Sequence, residues 1–308
     1  MTFNACRKCG NALPDEARFC PACGTPVSGT PGLDAPIPQR LAHALGPDYT
    51  VLGELGRGGF AFVFSVRDRR LNRYLAVKVM RPELLSSSVA RERFRREAQL
   101  VAQLDHPNVL AVSFAGEGSG LSYFAMPRVR GETLQRRLED EPMLPLALAQ
   151  RIFREVAEGL AYAHDHNVIH RDVKPANIML DRSGKSLLVD FGIAKGLSTD
   201  GGSISVTGAV IGTPEYMSPE QAVGGNRVDH RSDIYSLGVV GFEMVSGKQP
   251  FTGGTIHELA RKKATSAAPN VQHFRPDVSR EFATTIAQCL ERDPASRWAS
   301  GHEAAASF

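Results

Sequence analysis

One segment limits this chain more than any other: His170-Arg171-Asp172-Val173-Lys174-Pro175-Ala176-Asn177, followed thirteen positions after Asn177 by Asp190-Phe191-Gly192. A lone aspartate is usually a cap or a turn residue. Here two aspartates, an asparagine and a lysine crowd around two strand-like stretches, 177–180 and 186–189, which place Asn177 and Asp190 on facing arms of a hairpin. Both offer the oxygen ligands that Mg²⁺ prefers. Asp172, near the same cleft, is a carboxylate able to orient an alcohol and accept its proton.

A second group of residues points to phosphate. The first predicted strand ends in Gly56-Arg57-Gly58-Gly59-Phe60-Ala61-Phe62-Val63, where small residues let backbone N–H groups approach phosphate oxygens. Twenty residues after Gly58, Lys78 interrupts an apolar strand, Ala76-Val77-Lys78, and is expected beneath the hairpin. Glu97, midway along the next predicted helix, is the natural carboxylate to fix it. Each has a plainer reading on its own: glycines make hairpins, strand lysines are solvated, and glutamates decorate charged helices.

Periodicity predicts strands over 50–55, 62–68 and 74–80, a helix over 88–104, and strands over 109–116 and 122–128. Helices follow at 145–164, 233–246 and 280–291. The coarse architecture is α+β, a small β-rich lobe followed by a larger helical one.

From about Tyr49 to Phe308 the sequence resembles the protein-kinase catalytic domain, and most closely the bacterial Ser/Thr kinases of eukaryotic type. The resemblance implies a bilobal kinase fold, with a small lobe over about 49–127 and a large lobe over about 130–308. It implies transfer of the γ-phosphoryl of ATP, with Mg²⁺ or Mn²⁺, to Ser/Thr hydroxyls. In that pattern Asp172 is the catalytic base, Lys174 follows the transferring phosphate, and Asn177 and Asp190 hold the metal. Lys78 and Glu97 form the ion pair of the active arrangement. The glycine loop has Ala61 where the third glycine usually stands. For the adenine, Val63 and Ala76 form the roof, Met179 the floor and Met126 the gatekeeper. Backbone groups of Pro127 and Val129 make the hinge contacts. Thr213, in Gly212-Thr213-Pro214-Glu215-Tyr216, hydrogen-bonds to the base and its lysine, which with Lys174 matches the Ser/Thr pattern. Glu220, in a Ser-Pro-Glu that replaces the usual Ala-Pro-Glu, is expected to pair with Arg297. Asp233 is expected to brace the catalytic loop. Arg171 is the arginine that receives an activation-loop phosphate, which makes Thr207, with Ser205 and Thr199, the expected autophosphorylation sites.

Cysteine usage adds a second module. Four of the five cysteines fall in two C-x-x-C pairs, Cys6/Cys9 and Cys20/Cys23, each followed by glycine. In a reducing compartment this duplication is better explained by structural Zn²⁺ than by a redox dithiol or two disulfides. Residues 6–24 resemble the zinc-ribbon knuckles of bacterial proteins, so the ribbon is placed over 1–24. Residues 25–48 are Pro/Gly-rich and read as a linker, with a short helical turn at 40–45.

Charge narrows the partners. Lys plus Arg number 36 against 33 Asp plus Glu, a net +3 that gives nucleic acid no special claim. Protein substrates bearing Ser or Thr are implied, together with a homodimer through the small lobe. The ribbon's partner is left open between another protein and the kinase domain. Two rival readings are a pseudokinase that binds nucleotide without chemistry and an adaptor whose main function is the ribbon. The longest apolar stretch, 234–245, is well short of the roughly 20 residues that cross a bilayer, and no leader pattern opens the chain. The cytoplasm is the expected location, with membrane attachment only if the chain continues past Phe308.

Overall fold

Alternation of side chains along five strands builds the first part of the molecule. The structure, a computed structural model, describes residues 9–12, 21–23, 32–85, 87–191, 213–223 and 228–308. The chain divides into two units, Met1–Glu92 with Val112–Arg128, and Arg93–Ala111 with Val129–Phe308.

In the smaller unit a helix, α1 (Ile37–Leu45), precedes β1 (Tyr49–Arg57), β2 (Ala61–Asp68) and β3 (Arg73–Met80). The helix α2 (Ser88–Val101) begins in this unit, which ends with β4 (Phe114–Gly118) and β5 (Leu121–Pro127). The strands form one antiparallel sheet in the order β1-β2-β3-β5-β4. Because successive strand residues face opposite ways, Leu75, Val77 and Val79 enter the core with Phe64, Val66, Leu121, Tyr123 and Ala125. Ala76 and Lys78 face the other side of the sheet.

The core also contains Leu41 of α1, fully buried, with Ile37, Ala44 and Leu45 packed beside it. The helical turn expected over 40–45 is therefore a helix that starts three residues earlier and belongs to the core of this unit rather than to a tether. Pro36 and Pro38 stand at the helix cap and first turn, where a missing N–H costs no helical bond. Arg40 then fastens the helix to the β4–β5 turn: its guanidinium donates to the carbonyls of Leu33, Ser119 and Gly120, each at 3.0 Å. Hydrogen bonds from a charged group contribute about 1.5–3 kcal/mol each. A second correction concerns the strand expected over 109–116. Pairing starts only at Phe114, whereas Val109 makes a single parallel bridge to Leu188 within the larger unit.

The larger unit continues with β6 (Gly131–Thr133), α3 (Leu134–Asp140), α4 (Leu146–Asp165), β7 (Ile178–Asp181) and β8 (Ser186–Leu188). It ends with α5 (Pro219–Val223), α6 (Arg231–Ser246), α7 (Ile256–Thr265), α8 (Arg280–Cys289) and α9 (Gly301–Ala306). The strands β6, β7 and β8 form a small antiparallel sheet. Nearly every residue of α6 is buried, as its almost continuous apolar sequence requires. Gly241 gives α6 room against α4, since a Cβ there would lie 2.8 Å from Phe153. This buried helix matters for chemistry because Asp233 stands in its first turn.

Candidate active site

Strand register places the first group of candidates. Val63 pairs with Lys78, Lys78 with Phe124, and Ala76 with Met126. Cross-strand partners share a face, so Val63, Ala76, Lys78 and Met126 all lie on the side of the sheet opposite α1 and the core. Lys78 is half-buried, its ammonium 6.0 Å above the Phe124 ring.

The glycine segment turns between β1 and β2. Gly58 N–H donates to Ala61 O at 2.9 Å, and Arg81 donates two side-chain hydrogen bonds to Gly58 O, both 3.1 Å. A Cβ on Gly56 or Gly59 would meet nothing within 4 Å, and one on Gly58 only Ala61 O at 3.8 Å. Packing therefore does not demand glycine here. Open space beside the backbone is what a phosphate needs. Arg57 is held at 2.9 Å by Glu54, and with Arg81 its guanidinium covers the Phe62 ring. Phe60 and Ala61 complete the turn. Pro127 ends β5 opposite Leu75, and the division between the units falls directly before Val129.

In the larger unit, a buried carboxylate organises the loop. Asp233 Oδ1 accepts from Arg171 N at 2.8 Å, while Oδ2 accepts from His170 N at 2.8 Å and meets His164 Nε2 at 2.9 Å. Burial alone would raise its pKa, but the His164 hydrogen bond, with the backbone donors, holds it below the usual carboxylate range. Those bonds support an unusual backbone at Arg171, whose φ of +63° is a left-handed value uncommon outside glycine; Asp190 has φ +61° as well. Such residues cost about 1–3 kcal/mol each and persist where surroundings over-determine them. His170 is fully buried, its Nε2 3.0 Å from Val189 O and its ring centroid 4.6 Å from that of Phe191.

Asp172 is held from two sides. Its Oδ2 lies 2.9 Å from Lys174 Nζ and accepts from Asn177 Nδ2 at 3.0 Å. Asn177 Nδ2 also donates to Asp172 O at 2.8 Å. With the amide nitrogen committed to Asp172, Asn177 presents Oδ1 as its oxygen ligand. Asn177 lies in a 3₁₀ turn, Pro175–Asn177, rather than in the strand expected over 177–180. Val189 N–H donates to Asn177 O at 3.0 Å, which ties the Asn177 segment to the arm carrying Asp190. One carboxylate and one amide oxygen on joined arms form a hard-oxygen donor set that fits Mg²⁺. Met179 lies on β7, half-buried, opposite Thr133 and Leu187.

Lys174 Nζ also donates to Thr213 Oγ1 at 3.2 Å, so Asp172, Lys174 and Thr213 form one chain of contacts. Glu97 belongs to the same unit, with Arg171 NH1 3.8 Å away. Burial pushes the Glu97 carboxyl up to about 7, against the pull of Arg171 and Arg93. Arg297 grips Glu220 bidentately at 2.7 and 2.8 Å, and its remaining N–H groups reach the carbonyls of Arg231, Glu291 and Arg292. Burial would raise the Glu220 pKa, but this hydrogen bonding keeps it low.

Thr199, Ser205 and Thr207 lie outside the described residues, as do Cys6 and Cys20. Cys9 and Cys23 are described and exposed. Gly10, directly after Cys9, has φ +71°, a left-handed value that glycine adopts without steric cost. Among the described residues no three His, Cys, Asp or Glu side chains cluster to hold a metal. His164, Ser236 and Lys263, which anchor the loop and the segment after Thr213, carry no signal in the sequence. Nothing in their local pattern distinguishes them from ordinary helix residues.

A model of the protein kinase domain matches residues 49–307. The chain belongs to the protein kinase family. A zinc-ribbon model matches residues 6–27 of this kinase. It is 39% identical over 271 residues to the serine/threonine-protein kinase PknB of Mycolicibacterium smegmatis, covering 86% of this chain and 42% of that protein. It is 35% identical over 255 residues to PrkC of Bacillus subtilis, covering 83% and 39%. The chain thus spans about two-fifths of the length of these curated relatives. A crystal structure of the PknI kinase domain of Mycobacterium tuberculosis superposes with a TM-score of 0.67 at 30% identity, covering 84% of this chain and 94% of that one. Among the described residues, no helix is long and apolar enough to cross a membrane.

Proposed function

We propose that this kinase transfers the γ-phosphoryl group of Mg-ATP to Ser and Thr hydroxyls of proteins. The Asp172–Lys174–Thr213 chain is the observation that carries the reading, because it joins a carboxylate for the acceptor hydroxyl to a cation for the moving phosphate. Asp172 orients the acceptor hydroxyl and takes its proton. Lys174 neutralises charge on the transferring group, and Thr213 fixes the lysine. The hairpin at Gly56, Gly58 and Gly59 leaves space beside the backbone for phosphate oxygens, and Lys78 supplies the cation on the adjoining face of the sheet. Val63, Ala76 and Met126 give the adenine an apolar surface. Asn177 Oδ1 and the Asp190 carboxylate would hold Mg²⁺, which when bound neutralises the phosphate charge.

Activation belongs to the same proposal. Arg171 carries a guanidinium beside the base, and a phosphate on Thr207, with Ser205 and Thr199 as further sites, would compete with Glu97 for it. The four cysteines Cys6, Cys9, Cys20 and Cys23 hold structural Zn²⁺ in this reading. Phosphopeptide mass spectrometry after incubation with Mg-ATP and an added threonine-bearing protein tests both levels. Phosphate on the added protein and on the 198–207 peptide is expected. An unmodified 198–207 peptide in an enzyme that labels the added protein refutes autoactivation, and no transfer to either refutes the kinase reading. About one zinc per chain, lost in Cys6→Ser/Cys9→Ser, is expected by elemental analysis; none in the wild type contradicts the ribbon.

A further inference from the structure

The segment 213–217 follows no helix or strand, yet its backbone is closely held. Ser236 of α6 donates to Tyr216 O at 2.7 Å. Lys263 of α7 donates to the three other carbonyls of the run, Pro214 O at 2.8 Å, Glu215 O at 2.6 Å and Met217 O at 2.7 Å. Four consecutive carbonyls are thus held by two side chains reaching in from different helices. Lysine is almost never fully buried without a partner, yet Lys263 is only 2% exposed.

An ammonium has three N–H donors and no acceptor, which matches three carbonyls one for one. A neutral amine has two donors and a lone pair, and the lone pair would face the third carbonyl. The cage is therefore built for the charged form. Burial pulls the group the other way, down to about 7, with the Glu215 carboxylate opposing.

The held segment borders a depression of about 500 Å³ lined by Lys174, Thr213, Glu215, Tyr216 and Glu243. Thr213 reaches Lys174 beside the base. At the other end Tyr216 OH donates to Glu243 Oε2 at 2.6 Å. Anything that shifts the 214–217 backbone shifts this wall of the depression and loosens Thr213 from Lys174.

We propose that Lys263 is a positioning residue for the protein acceptor: its charged Nζ holds the 214–217 backbone in the one arrangement that presents the phosphoacceptor segment to Asp172. The proposal rests on the kinase reading and adds a residue with no contact to nucleotide. Lys263 has no contact with the nucleotide, so its loss weakens acceptor binding, and slows transfer through Thr213 and Lys174, while ATP binding is kept.

The test compares wild type, Lys263→Met and Lys263→Gln, with KM for a synthetic threonine peptide and KM for ATP measured separately and folding followed by thermal melting. A folded Lys263→Met is expected to raise the peptide KM about tenfold or more, the scale of one lost charged hydrogen bond, with the ATP KM within about twofold. Lys263→Gln, with two amide donors, should fall between. Equal peptide KM in all three proteins, or a parallel loss for both substrates, overturns the proposal. If Lys263→Met does not fold, the milder Lys263→Gln and the wild-type pH profile decide. The groups facing Nζ are the Glu215 carboxylate and the Tyr235 ring of α6, 5.8 Å away; the neighbouring elements carry Glu220 on α5, paired with Arg297, and Arg292, which donates to Ala264 O at the end of α7, while Glu258, Arg261 and Lys262 share α7. Peptide KM should rise between pH 6 and 9 in the wild type but not in Lys263→Gln; a flat wild-type profile, or the same rise in both, counts against the cage. A wild type that transfers no phosphate at all instead removes the kinase reading beneath it.

Discussion

The glycine hairpin at 56–61 and the catalytic loop around Asp172 serve the same reaction but are built in opposite ways. Antiparallel pairing of β1 with β2, with a register shift between Glu54 and Gly56, carries the hairpin, and the space beside its glycines is open. The catalytic loop contains Arg171 in a left-handed conformation and depends on one buried carboxylate, Asp233, reaching from another helix. A surface that must admit a large anion is left unfilled, whereas groups that must hold a proton acceptor to within tenths of an ångström are bonded from every side. Substitutions in the hairpin should therefore change binding and spare folding, and those at the loop's anchor should do both kinds of damage.

Asp233→Asn is the severest way to probe this contrast. An amide retains one acceptor oxygen for three donors, and breaking a buried charged network costs about 3–5 kcal/mol. Urea unfolding should show that loss, with kcat falling further than the ATP KM changes. Because the Asp233 pKa is depressed in the folded state, its contribution is present above the unfolded carboxylate value near 4 and is lost as pH falls through the folded value. Wild-type stability should fall in acid more steeply than that of Asp233→Asn.

Glu97 should behave with the opposite sign. Its folded pKa is raised to about 7 from an ordinary 4.5, so its contribution is complete below the unfolded value and disappears as pH climbs to about 7. Glu97→Gln should flatten the dependence of unfolding free energy on pH between those limits; an unchanged slope would show that Glu97 is not buried as described. The smallest effect on stability belongs to Gly58→Ala. Its new methyl group meets nothing nearer than 3.8 Å, so unfolding should change by less than about 0.5 kcal/mol. The ATP KM should nevertheless rise, by a few-fold, because the methyl occupies the space through which phosphate oxygens approach. A large stability loss with unchanged ATP KM would reverse the interpretation of the hairpin.

Legibility in the sequence follows the same division. Val63, Ala76, Lys78 and Met126 share one sheet face by the two-residue period, and periodicity is visible locally. Asp172, Asn177 and Asp190 could be found from the chemistry of their side chains in order. What escaped were partnerships across the chain: Lys263 with 214–217, His164 with Asp233, and Arg40 with the β4–β5 turn. Each joins an unremarkable polar residue to a backbone or side-chain group about 46 to 80 positions away, and no local pattern records such a pairing. The helical turn at 40–45 is legible, but its extension to Ile37 and its burial are not, because proline suggests a tether unless it stands at the helix cap and first turn.

The most direct test is transfer of radiolabelled γ-phosphate from Mg-ATP to a threonine peptide by the wild-type chain and by Asp172→Asn, with ATP binding measured alongside. The wild type should label the peptide, and Asp172→Asn should bind ATP while transferring about 10²–10⁴ times more slowly, the contribution of a positioned proton acceptor. Equal rates in the two proteins, or silence in both under Mg²⁺ and Mn²⁺, would contradict the assignment of Asp172 and with it the enzyme.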